Sequence, residues 1–290
     1  MSRDCFFVKS HGLGNDYVVF GQSEPAFKIT PSAIRLICDR NYGIGADGVL
    51  LLAESEKSDF GLRIFNPDGS EAEKSGNGLR IFAKFLYEHG HTKSESFSIE
   101  TPGGTVRAEI VKENGAVSLI TVDMGRAVFT AEEIPVGGGF SGDVVCKEIE
   151  AGGKRFEFTA VSVGNPHCVI FSGDLSERQT KEFGAALENH EFFPNRTNVQ
   201  FARVKGKNKL EISIWERGAG YTFASGSSSC AAAAAAVKNG LCENRLTVSM
   251  PGGEIAVEIS DDFDLRMTGP AEEVASGTLS ADILKKLSGA

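Results

Sequence analysis

FNPDGSEAEKSGNGLR, residues 65–80, ends an apolar strand, turns, and sets a serine before a glycine-rich helix start. The same plan returns in WERGAGYTFASGSSSCAAAAAA, residues 215–236. Ten residues separate Phe65 from Ser75 and ten separate Trp215 from Ser225, so the two copies stand 150 positions apart. Gly14-Asn15 maps onto Gly164-Asn165 and Gly48-Val49 onto Asn198-Val199 at that offset, and Thr101-Pro102-Gly103-Gly104 onto Met250-Pro251-Gly252-Gly253 at 149. One short match would mean little. Several in the same order indicate a tandem duplication, two related halves making one functional unit rather than an array of short repeats.

A serine at a helix start carries a chemical implication. The first backbone N–H groups of a helix lack intrahelical partners and hold partial positive charge, so a carboxylate or a developing oxyanion is stabilised there. Gly76 and Gly226 let a ligand approach that backbone closely. Were the halves related by a pseudo-twofold axis, Ser75 and Ser225 would face one cavity and serve proton traffic on two faces of one carbon.

The chain has 290 residues, enough for two domains of about 140 residues each. Its 41% hydrophobic and 24% charged residues are those of an ordinary soluble globular protein. A net charge of −9 without clustered Lys and Arg argues against nucleic-acid and anionic-membrane partners. MSRDCFFVKSHGLGND turns polar too early for a signal peptide, and the run Ala231 to Ala236 is too short to span a membrane. Six scattered cysteines without a C-x-x-C pair fit reduced thiols in the cytoplasm, and no metal-ligand cluster is visible.

Strands are expected at Phe6 to Lys9 and Tyr17 to Phe20, around a ligand-capable loop from Ser10 to Asp16, and a helix at Pro31 to Asp39. Gly43, Gly45 and Gly48 match G-x-G-x-x-G, but no strand precedes them and a strand, Val49 to Leu52, follows in place of a helix, so the context of a nucleotide site is missing. Helix Gly76 to Glu88 is apolar over a broad surface, stops at Gly90, and carries His89 and His91 where a charged ring would favour the helix dipole. The second half begins near Gly125. Strand Leu210 to Trp215 delivers Glu216 and Arg217 into a glycine-rich turn, where Arg217 is either a solvated ion-pair member or a planar grip for a carboxylate. His167, beside Asn165, is either a core histidine or a helper to the chemistry.

HGLGNDY, GIGADG, FNPDGSE with SGNG, GNPH, PNRTNV and ERGAG followed by SG, in that order, resemble the diaminopimelate epimerase family from residue 6 to about 270. The resemblance implies an α+β fold of two pseudo-symmetric domains, each of mixed β-strands wrapped around a central helix, with the site between the halves. The expected boundaries are 1–124 joined by 275–290, and 125–274. It implies a cofactor-independent isomerase of lysine and meso-diaminopimelate biosynthesis that inverts an amino-acid α-carbon. In it Asn15, Asn66, Asn165, Asn198, Glu216 and Arg217 would hold the amino-acid substrate. Gly76 with Asn77 and Gly226 with Ser227 would bind the reacting α-carboxylate, while His167 and Glu216 support the acid/base pair. No pyridoxal cofactor and no metal would be needed, and a homodimer is left open.

The family sets a cysteine at each helix tip, one thiolate taking the α-proton and the opposite thiol returning one; here both positions are serine. A thiol has a pKa near ~8.5 and a helix N-terminus lowers it. A serine hydroxyl stays neutral without a strong partner base. The pair is read either as a replacement that arrests an epimerase or as a natural divergent member, one that binds an amino acid and performs other α-proton chemistry, such as dehydration, or none.

Overall fold

In the computed structural model, which describes residues 5–21, 25 and 27–288, the chain divides into two compact units, one of Met1–Val122 with Gly269–Ala290 and one of Asp123–Thr268. The first unit carries β1 (Phe6–Gly12), β2 (Asn15–Phe20), α1 (Pro31–Cys38), β3 (Val49–Ala53), β4 (Phe60–Phe65), β5 (Glu71–Ala72), α2 (Gly76–Glu88), β6 (Ser96–Thr101), β7 (Gly104–Glu113) and β8 (Ala116–Arg126), whose end runs into the second unit. The second carries β9 (Lys147–Ala151), β10 (Lys154–Ser162), β11 (Pro166–Phe171), α3 (Glu177–Glu188), β12 (Asn198–Gly206), β13 (Lys209–Glu216), β14 (Gly220–Thr222), α4 (Gly226–Lys238), β15 (Arg245–Met250), β16 (Gly253–Ile259) and β17 (Asp264–Gly269). The chain then returns to the first unit as β18 (Glu272–Thr278), antiparallel to β1, and α5 (Ala281–Ser288).

The duplication read from the sequence is written into the strand registers. β2 and β3 pair in parallel with Val18 beside Val49, and β11 and β12 in parallel with Cys168 beside Val199. Val49 then faces Phe65 across an antiparallel pair, as Val199 faces Trp215. Phe60 lies parallel to Ile99, as Leu210 to Val248. A one-residue slip would turn every side chain of a strand to the opposite face, so these shared registers keep the same positions inward in both halves.

Each half wraps its strands around one helix. α2 buries Leu79, Ile81, Phe82, Ala83, Phe85 and Leu86 over a broad face, with Arg80 buried beside them, against β1, β2 and β7. α4 does the same with six alanines in a row, each fully buried among β10 to β13, β15 and β16. A helix apolar all round is stable only when enclosed. Alanine also has the highest helix propensity and the smallest side chain that keeps it, so the strands come close to the α4 backbone.

Two local expectations are revised. The loop foreseen over residues 10–16 is a two-residue hairpin, because β1 runs on to Gly12 and β2 begins at Asn15; Leu13 and Gly14 turn the chain with φ of 56° and 89°. Two central residues at positive φ match the twist of the flanking strands. At the end of α2, His89 pairs with Glu273 at 2.9 Å, but His91 packs on the Phe85 ring and burial lowers its pKa, away from the charged form.

Candidate active site

Ser75 and Ser225 are the N-caps of α2 and α4, with nearly the same extended backbone, φ/ψ −141°/117° and −150°/123°. Extended angles at that position turn the side chain back over the helix end, where its oxygen accepts the third amide of the helix. Ser75 Oγ accepts from Gly78 N at 3.0 Å, and Ser225 Oγ from Ser228 N at 3.4 Å, the long end of a hydrogen bond. The Gly76, Asn77, Gly226 and Ser227 amides precede the first intrahelical bond of each helix and are the groups that can receive a carboxylate.

In the first unit a polar chain reaches this helix start. Asn15 Nδ2 donates to Asp47 Oδ2, Asn77 Nδ2 donates to Asn15 Oδ1, both at 3.1 Å, and Arg80 Nη2 donates to Asn77 Oδ1 at 2.8 Å. Arg80 is fully buried and also donates to the backbone oxygens of Gly76 and Pro270. The Asp47 end is tied by Arg40, which bridges to Asp16. Burial alone would raise the Asp16 pKa, but hydrogen bonds from Arg40 and Lys9 outweigh it and bring the carboxyl down to about 2. Tyr17 joins the group from β2, its phenol oxygen 3.1 Å from Ser75 Oγ. Asn66 stands apart: it is exposed at the end of β4 and its amide donates to Ser70 within its own turn.

In the second unit Asn198 clamps two segments. Its Nδ2 donates to Pro166 O at 2.9 Å and its Oδ1 accepts the Arg217 amide at 3.0 Å. The Arg217 side chain is exposed, with Nη1 donating to Asn195 O at 3.1 Å, and Glu216 is half-buried at the end of β13. His167, opposite Asn198 in the parallel pair, is completely buried with Nε2 2.9 Å from Asn165 Oδ1. Burial pushes its pKa down to about 3, so the ring is neutral. Gln200, two residues further along β12, donates to Ser228 Oγ at 3.0 Å and so ties this strand to the first turn of α4. His167 Nδ1 and Gln200 Oε1 are both buried, and the nearby Gln200 side chain opposes the effect of burial by favouring the charged ring.

Of the candidates named from the sequence, the structure places Asn15, Ser75, Gly76 and Asn77 around one helix start, and Asn165, His167, Asn198, Arg217, Ser225, Gly226 and Ser227 in three small groups of the other unit. Sequence reasoning passed over Tyr17, Asp47, Arg80 and Gln200. Tyr17 had a signal in the offset of 150 that places it opposite His167, while Asp47 and Arg80 lay within the quoted GIGADG and FNPDGSEAEKSGNGLR. Among the described residues no group of three or more His, Cys, Asp or Glu could hold a metal ion, and no helix is long and apolar enough to cross a membrane.

Comparison with known proteins agrees with the motifs. The family model described as diaminopimelate epimerase matches residues 7–130 and 159–274. "Diaminopimelate epimerase 2" of Nostoc sp. is 50% identical over 279 residues, covering 96% of each chain. The diaminopimelate epimerase of Pelotomaculum thermopropionicum is 44% identical, covering 93% of this chain and 97% of its own. Among solved structures, a probable proline racemase from Agrobacterium radiobacter K84 superposes with a TM-score of 0.72 at 15% identity over 96% of this chain and 93% of its own, a likeness of fold. Matched along both halves by the model and by near full-length relatives, the chain belongs to the diaminopimelate epimerase family.

Proposed function

We propose that the chain is a cofactor-independent amino-acid isomerase of lysine biosynthesis, which binds diaminopimelate and moves the proton on its α-carbon from two serine-capped helix starts. The observation that carries this is the equivalence of Ser75 and Ser225, one in each unit, on the same cap with the same backbone. Inversion needs one acid/base group on each face of the carbon, and the duplication supplies two of a kind. The Gly76, Asn77, Gly226 and Ser227 amides would take the α-carboxylate and stabilise the charge that grows there as the proton leaves. Asn198 and Arg217 would hold the distal polar end, with Asn15, Asn66, Asn165 and Glu216 completing the recognition. Six free cysteines, four of them buried, fit work in the cytoplasm.

The serines set the rate. A neutral hydroxyl can donate a proton to a carbanion but is a poor base for an α-proton, so each first step is slow in either direction. Proton NMR of diaminopimelate in heavy water tests this, together with calorimetry of binding. The protein should bind diaminopimelate with very slow deuterium entry at the α-carbon, and Ser75→Cys with Ser225→Cys should raise that rate strongly. A double variant that binds yet exchanges no deuterium would overturn the assignment. Wild-type turnover of about 10 per second, ordinary for an enzyme, would overturn the role given to the serines.

A further inference from the structure

Tyr17 and His167 are the same position in the two halves. Tyr17 stands one residue before Val18, which pairs with Val49, and His167 one residue before Cys168, which pairs with Val199. The neighbours across the parallel pair differ: Gly48 lies there in the first unit and Asn198 in the second. A Cβ on Gly48 would come within 2.6 Å of both Tyr17 Cε1 and Phe65 O. The phenol ring therefore occupies the room that a side chain at position 48 would need, and it is 7% exposed. Seated there, its oxygen reaches Ser75 Oγ at 3.1 Å.

We propose that Tyr17 is the positioning residue of Ser75, donating its phenol hydrogen to Ser75 Oγ; this rests on Ser75 carrying the proton as proposed above. A hydroxyl oxygen has two acceptor sites. Gly78 N–H fills one at 3.0 Å and Tyr17 fills the other, so the hydrogen of Ser75 is left pointing away from both, free for a ligand at the helix start. When Ser75 gives that proton to a carbanion, its O–H bond breaks and a C–H bond forms. The charge left on Ser75 Oγ is held by the two donors it already had, and because a phenol is a stronger acid than a serine hydroxyl the Tyr17 proton is drawn toward that oxygen and moves back when Ser75 is reprotonated. The reverse step returns the substrate's proton to Ser75 Oγ. The second unit lacks this arrangement, since His167 Nε2 is engaged with Asn165, and Ser225 Oγ has a Ser228 amide and the Ser227 hydroxyl, each at 3.4 Å. Ser75 is consequently the more acidic of the two tips.

The test uses Ser75→Cys as a reporter and needs no substrate, so its outcome is independent of whether diaminopimelate is turned over. The pH profile of iodoacetamide alkylation of the thiol introduced by Ser75→Cys, read by peptide mass spectrometry, gives the thiolate pKa at the tip. Adding Tyr17→Phe should raise it, with alkylation about tenfold slower below the pKa, as loss of one hydrogen bond to an anion predicts. Ser225→Cys with the same Tyr17→Phe should show no change. Should Tyr17→Phe fail to fold, 3-fluorotyrosine at position 17 keeps the shape, strengthens the donor and should shift the profile down. An unmoved profile at the first tip, or an equal shift at both tips, would overturn the proposal.

Discussion

Glu188 accepts the indole N–H of Trp215 at 2.7 Å. The same buried carboxylate takes the Gly218 amide at 2.9 Å and Arg196 at 3.1 Å, so the end of α3 holds the turn in which Arg217 sits. Glu188→Ala leaves three donors without their acceptor and should cost about 2–3 kcal/mol, read as a lower urea midpoint. Glu188→Gln keeps an acceptor and should cost less. Equal midpoints for the wild type and the alanine variant would show that the turn stands without this anchor.

Gly184 gives a prediction whose sign is set by packing. It lies within α3, where alanine would ordinarily gain about 1 kcal/mol in helix propensity. A Cβ there would meet the Trp215 ring at 2.5 Å, and the Glu188 bond keeps that ring from sliding. Overpacking of that kind costs about 1–3 kcal/mol, so Gly184→Ala should lower the melting temperature despite the better helix former.

His167 makes stability depend on pH. Its folded pKa of about 3 lies below its ordinary 6.5, so between those values the unfolded chain binds a proton that the folded one does not. Stability is complete above pH 6.5 and falls as the pH drops toward 3, with about one proton taken up on unfolding. The Asp16 contribution has the same sign but a lower window, from its ordinary 3.8 to about 2. His167→Gln should flatten the stability profile between pH 6.5 and 5, measured by urea unfolding at a series of pH values, and leave the Asp16 step in place. An unchanged slope would mean that the ring binds its proton as readily in the folded protein as in the unfolded chain.

Arg217→Met removes a planar, charged donor set at the exposed end of the second-unit group. Diaminopimelate binding should weaken by about 1.5–3 kcal/mol in calorimetry if Arg217 grips a carboxylate. Unchanged affinity would take Arg217 out of the site.

The single cysteine variants should help less than the pair. One thiolate can remove a proton, but the opposite face still has a serine where the second acid/base group is needed. Groups that act as a unit are non-additive, so the double variant should exceed the product of the single gains. Deuterium exchange rates of the four proteins decide it.

The halves, α2 and the helix-tip serines were legible because each leaves a local mark. An offset of 150 survives in the strand registers, and the foreseen helix, Gly76 to Glu88, is the one observed. The hairpin at Leu13 was misread because Ser10, His11 and Asn15 look like loop residues although they lie in strands. Glu188 and Gln200 left no mark at all, since their partners Trp215 and Ser228 are remote in the chain and meet them only once the strands are in register. Tyr17 is intermediate: the offset picks it out, but only the geometry shows that it reaches Ser75.

The six enclosed alanines of α4 impose a rule of change that α2 does not share. α2 is set in place by interlocking side chains of unequal size, so a loss on the helix can be answered by a gain on a facing strand. α4 offers no volume to trade; its seat is the near approach of backbone to backbone, and even one added methyl must move a strand. Variation in the second half should therefore collect in the strands and turns around that helix, whereas in the first half the helix and its surroundings are free to vary together.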